Sequence, residues 1–161
     1  MAISRHSLLK ARLALVRRDL DQAIEHVTQE TMEWAPRQGM RTVAGQFVEI
    51  IGTEMQLVAR LRDDRYMSDD DAKAVIGDCA SLENLCRSLK QVREETLGFL
   101  DSLSESELLE EVEFGAGWFA SLMLPTVPRA EVFLNIADHE WYHVGQLTSY
   151  LWMRGEEPYE W

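Results

Sequence analysis

Two histidines four residues apart, His139 and His143, stand in the run Asp138-His139-Glu140-Trp141-Tyr142-His143-Val144-Gly145-Gln146-Leu147. On a helix, residues i and i+4 lie about 40° apart around the axis, so both imidazoles project from one side. That is how a helix offers two nitrogen ligands to one metal ion. The chain has four histidines, and half of them fall here. The run also spells H-E-x-x-H, in which a zinc protease uses the glutamate as general base. A protease needs a third ligand downstream and normally a substrate-aligning sheet before the helix. Here 18 residues follow His143, with Glu156, Glu157 and Glu160 as late candidates, and no run of strands precedes it. The zinc-protease reading is the weaker one.

The elements that must position these side chains read as helices. Leu9, Leu13, Val16, Leu20, Ala23 and Val27 step by threes and fours, which predicts a helix over 5–31, before Pro36 and Gly39 interrupt. Val43, Phe47, Ile50, Leu57, Val58 and Leu61 predict a second over 41–63. Ser68 with Asp71 is a capping pattern that predicts a short helix over 69–78; a solvated acidic run is the alternative. Leu82, Leu85, Leu89, Val92, Thr96, Phe99 and Leu103 form a bundle seam. Ser104-x-x-Glu107 predicts a further turn of helix. Residues 111–127, with Gly115, Gly117 and Pro125 around Phe114, Trp118, Phe119 and Leu122, read as an irregular crossover lying across one end of the bundle. The last long helix spans about 129–153 and stops at Gly155, with Pro158 beyond. The expectation is all-α: one four-helix-bundle domain over 1–161.

On the last helix, Val132, Ile136, Leu147 and Tyr150 mark the buried stripe. His143 falls inside it, His139 on its shoulder, and Gln146 one turn further along. Glu140 sits toward the apolar side. Buried imidazoles need a shared partner, which a metal supplies. A third ligand must come from another helix. On the second, Thr42, Gly45, Gln46, Glu49, Gly52, Thr53 and Gln56 share a small, polar face centred on Glu49. Interior glycines cost about 1 kcal/mol each relative to alanine, so they mark a close contact or a cavity. The competing acid, Glu54, lies about 140° away among apolar residues, so the two acids do not serve one ion together. Glu49 as an exposed surface acid is the alternative.

Composition narrows the rest. With 16 Lys+Arg against 28 Asp+Glu the net charge is −12, which repels phosphate backbones and anionic lipid. No apolar run reaches membrane-spanning length. The N-terminus carries Arg5, Lys10, Arg12, Arg17 and Arg18 among its apolar residues, unlike a signal peptide. Cys79 and Cys86 read as reduced core thiols, and the expected location is cytoplasmic.

The chain resembles the DinB-like family of bacterial four-helix-bundle proteins, which also holds metal-dependent hydrolases and thiol-dependent S-transferases. The resemblance lies in Trp34-Ala35-Pro36, Arg41-Thr42-Val43, His139-Glu140-x-x-His143-x-Gly145-Gln146-Leu147 and Arg154-Gly155-x-x-Pro158. It implies a divalent metal held by one histidine of the second helix and two of the fourth, at the open end of the bundle. His139 and His143 match that pair; the second-helix position, seven residues after Thr42, is Glu49 here. The implied ligand set is Glu49, His139 and His143, with Gln146 as a supporting or substrate-binding side chain. Zinc or nickel suits it, and iron(II) or manganese also fit. The implied activity is thiol transfer or hydrolysis on a small-molecule substrate, with a low-molecular-weight thiol as one candidate. A homodimer through the apolar faces of the first and third long helices is expected. The alternative is a non-enzymatic small-molecule-binding or dimerising bundle whose metal site is vestigial.

Overall fold

The computed structural model describes residues 3–113 and 124–161. Its helices are α1 (Arg5–Glu25), α2 (Val43–Asp63), α3 (Asp69–Ile76), α4 (Leu82–Ser102) and α5 (Arg129–Met153). The four long ones form an all-α bundle: α1 packs along α5, α2 packs on both α4 and α5, and short α3 lies against α2. No helix among the described residues is long and apolar enough to cross a membrane.

Local chemistry sets most of the boundaries. Ser4, Thr42, Ser68 and Ser81 each accept a bond from the backbone N–H three residues on, at the starts of α1 to α4. Gly77 ends α3 with φ 79°, a conformation that favours glycine. The expected turn after Ser104 is a 3-10 turn, Glu107–Leu109, closed by reciprocal Ser104–Glu107 bonds.

Helix α1 is shorter than its periodicity predicts. It stops at Glu25, and Gln29–Thr31 form a separate 3-10 turn. The Thr31 hydroxyl donates to the Thr28 carbonyl at 2.8 Å and accepts the Thr28 N–H at 3.1 Å. These local bonds offer the backbone an alternative to continuing the helix. Val27 still reaches the core across the break.

The expected crossover begins and ends in two short strands, β1 (Glu111–Val112) and β2 (Val127–Pro128), paired antiparallel with Val112 opposite Val127. Between them, residues 114–123 lie outside the described residues, so the aromatic cluster expected there does too.

The core runs continuously through all four long helices. The predicted α1 seam is buried throughout, and Leu85, Leu89, Val92 and Thr96 line α4. In the last turns of α4 the buried residue is Leu100, while Phe99 is half-buried. Cys79 and Cys86 are free, as expected, and half-buried; Cys79 packs against the core. Four charged side chains also sit in this core: Arg17 of α1, Glu54 of α2, Arg93 of α4 and Glu140 of α5.

Candidate metal centre

Both histidines project from α5 toward α2. His143 is buried and His139 half-buried, and their Nε2 atoms face each other 3.1 Å apart. Glu49 completes the group, with one ligand atom from each residue within 4.8 Å of the others. Tetrahedral coordination with bonds of about 2.0–2.1 Å sets two nitrogens about 3.3 Å apart, so the histidine spacing is already near what an ion requires.

The proton on His143 can be placed by following a chain of hydrogen bonds. The Tyr150 hydroxyl donates to the Arg41 carbonyl at 3.1 Å, and a carbonyl can only accept. The Tyr150 oxygen therefore accepts from Gln46 Nε2, also at 3.1 Å. That turns Gln46 Oε1 toward His143 Nδ1, which donates to it. The proton of His143 is thus held on Nδ1, and the lone pair of Nε2 faces His139. An oriented second nitrogen of this kind is the usual support for a ligating histidine.

Both imidazoles are kept neutral. Burial, then the neighbouring His143 and Arg41, push His139 down to about 3. Burial and Arg41 lower His143 to about 4, with Gln146 acting in the opposite direction. Neutral imidazole is the form that binds a metal. Arg41 reaches this place by lying over the first turn of α2, its Nη2 2.7 Å from Glu49 Oε1.

The two acids of α2 part company. Glu49 joins the histidines, whereas Glu54 is drawn into the charged core. Arg93 donates to Glu54 through Nε at 2.8 Å and Nη2 at 3.0 Å, to the Leu13 carbonyl at 2.7 Å, and to Glu140. Arg17 donates from Nε to Glu140 at 2.7 Å and from Nη1 to the Leu89 carbonyl at 2.6 Å. Burial alone would lower the Arg93 guanidinium, but the two carboxylates override it and hold it above its ordinary value. Glu140, the acid of H-E-x-x-H, is thus neutralised by two guanidiniums in the core. That is no place for a base that must reach water and substrate.

Donor chemistry and geometry fit a divalent ion: two neutral nitrogens and a carboxylate converge. Two side-chain oxygens of α5, Gln146 Oε1 and Asn135 Oδ1, are buried without a hydrogen-bond partner among the described residues. A cavity of about 130 Å³ between α2 and α3 borders Glu49 and includes Gly52. A Cβ at Gly52 would meet Ala72 at 3.6 Å, an ordinary contact, so the approach of α3 does not itself require glycine here.

Sequence reasoning brought Glu49, His139, His143 and Gln146 to notice but assigned no role to Gln46, Tyr150 or Arg41. Gln46 and Tyr150 carried a signal, since each lies one or two turns from a ligand on the same face. Arg41 carried none, because it precedes the helix and its side chain direction is set by tertiary contacts.

The sequence profile of the DinB superfamily matches residues 12–147, and the chain belongs to that superfamily. A DinB-like protein, YjoA, from Bacillus subtilis has a similar structure, with TM-score 0.67 and 14% sequence identity over 93% of each chain. The colibactin self-resistance protein ClbS, in complex with double-stranded DNA, is also similar, with TM-score 0.65 and 14% identity over 92% of this chain and 96% of that one. At such identity the likeness concerns the fold. No curated protein sequence matches the chain.

Proposed function

We propose that this chain is a divalent-metal-binding DinB-superfamily domain spanning 1–161, and a metal-dependent enzyme of the thiol S-transferase or hydrolase type. Its ligands are Glu49, His139 and His143. The observation that carries this reading is the pair of facing Nε2 atoms 3.1 Å apart, one fixed as a lone pair by the Gln46–Tyr150 relay, with Glu49 beside them. Zinc or nickel suits two imidazoles and a carboxylate, and iron(II) or manganese also accept them. Such an ion supplies a Lewis acid that makes a thiol or a water nucleophilic near neutral pH. The chain's own groups do the rest. Gln46 holds the His143 ring, Glu49 contributes negative charge, and the buried Gln146 oxygen takes an N–H or O–H donor of a small-molecule substrate.

Metal analysis of protein purified without a histidine tag tests this reading. One equivalent of metal is expected in the wild type and in Glu54→Gln, and far less in Glu49→Ala. Occupancy that survives Glu49→Ala would overturn the ligand assignment.

One observation favours a second reading, a non-enzymatic bundle with a vestigial site: Arg41 already gives Glu49 a cationic partner at 2.7 Å. The absence of stoichiometric metal would select it. The net charge of −12 supports a small-molecule partner over nucleic acid, whatever ClbS binds. Leu8 and Leu15, both exposed and seven residues apart on one face of α1, support a homodimer through that helix. Light scattering should then give twice 18.5 kDa.

A further inference from the structure

Arg41 is placed by three separate contacts. Its carbonyl accepts the Tyr150 hydroxyl at 3.1 Å, which fixes the backbone just before the Thr42 cap. Its stem occupies space that only glycine leaves open: a Cβ at Gly45 would come within 2.7 Å of Arg41 Cγ and 3.5 Å of Cδ. Its head lies 2.7 Å from Glu49 and remains half-exposed, with 47% of the side chain open to solvent. Glu49 is the sole hydrogen-bond or ion-pair partner of this guanidinium among the described residues. A guanidinium carries five N–H donors in a planar fork that matches a carboxylate in two-point fashion. Most of those donors are therefore unspent, at the rim of the candidate metal centre, on a protein whose net charge is −12. A solvated surface arginine needs neither a glycine seat nor a pinned backbone.

We propose that Arg41 anchors the carboxylate of a small molecule whose other end reaches the Glu49–His139–His143 site. The assignment rests on the metal-binding reading above and adds the substrate class: a small carboxylic acid bearing the metal-seeking group, a thiol in the transferase case. Two features of the substrate are then read at once, the thiol at the metal and the carboxylate at Arg41. Gly45 is a positioning residue that acts through Arg41.

The test uses zinc-loaded protein, with metal content measured first in every variant. Calorimetric titration compares 3-mercaptopropionate with 3-mercapto-1-propanol, which keeps the chain and thiol but loses the charge. The wild type should prefer the carboxylate by about tenfold, the scale of a charge-assisted pair. Arg41→Gln should abolish the preference while holding zinc at least as tightly, because Glu49 loses a competing cation. Gly45→Ala, which favours helix and so should fold, should weaken the preference by pushing the stem aside. A wild type that takes up no metal overturns both the metal reading and this one. Loaded protein that binds the two thiols equally, or binds neither, overturns the Arg41 assignment alone. A preference that survives in Arg41→Gln does the same.

Discussion

Which nitrogen of His143 faces the site is decided two hydrogen bonds away, at Tyr150, and transmitted through the Gln46 amide. If that relay prepares a ligand, Gln46→Leu should weaken zinc affinity by about 10–100-fold with all three ligands present. A competition titration with a chromophoric chelator measures this, and unchanged affinity would show that the ring needs no such support. His6 illustrates the opposite use of an imidazole. Its Nδ1 lies 3.0 Å from Glu105 and its Nε2 3.0 Å from the Leu100 carbonyl, so both nitrogens face acceptors. The Glu105 bond, against a smaller cost of burial, raises the His6 pKa above 6.5. The folded state thus binds this proton more tightly than the unfolded chain does. Its stabilisation is complete below about pH 6.5 and is lost as pH rises through the raised value. His139 and His143, with their lowered values, gain stability over the same range, so the His6 contribution is read as a difference. Between about pH 6 and 8.5 the thermal midpoint of Glu105→Gln should fall less, or rise more, than that of the wild type. Equal slopes in the two proteins would contradict the pairing.

The four long helices are joined at one charged cluster to which each contributes one residue: Arg17, Glu54, Arg93 and Glu140. Removing one partner leaves a buried charge uncompensated, which costs about 3–5 kcal/mol. Arg93→Met, which leaves Glu54 and Glu140 to share Arg17 alone, should lower urea stability by that amount. A loss under about 1 kcal/mol would mean that water or a local shift relieves the cluster. The sequence made the long helices legible because their apolar positions recur at helical spacing, and short α3 legible through its Ser68–Asp71 cap. It did not reveal the cluster. Counting apolar positions treats Arg17 and Arg93 as surface residues, and a charge is buried only when its partners on other helices are present. The end of α1 was missed for a related reason. The apolar pattern continues to Val27, but the Thr28–Thr31 bonds stop the helix earlier. At the site, the histidine pair was legible because both ligands sit on one helix four residues apart. Glu49 needed the family resemblance, since its own spacing allowed a plain surface acid.

At the scale of the molecule, the charged cluster stands beside the candidate metal centre, with His139 and Glu140 adjacent on α5 and Glu49 and Glu54 five residues apart on α2. The apolar seams run through all four long helices, so holding the bundle together does not depend on the His139–His143–Glu49 group. The fold should therefore persist without metal, and metal should add to it. The most direct measurement is the thermal midpoint of metal-free protein titrated with zinc, followed in parallel for His139→Ala and His143→Ala. Binding confined to the native state adds about 2.7 kcal/mol at a hundredfold excess over Kd. For a domain of this size that raises the midpoint by about 5–10 °C. The account predicts this rise in the wild type and none in either variant, with both variants still folding cooperatively. A wild-type midpoint indifferent to zinc, nickel, manganese and iron(II), and matched by both variants, would contradict it and leave the two histidines as core residues.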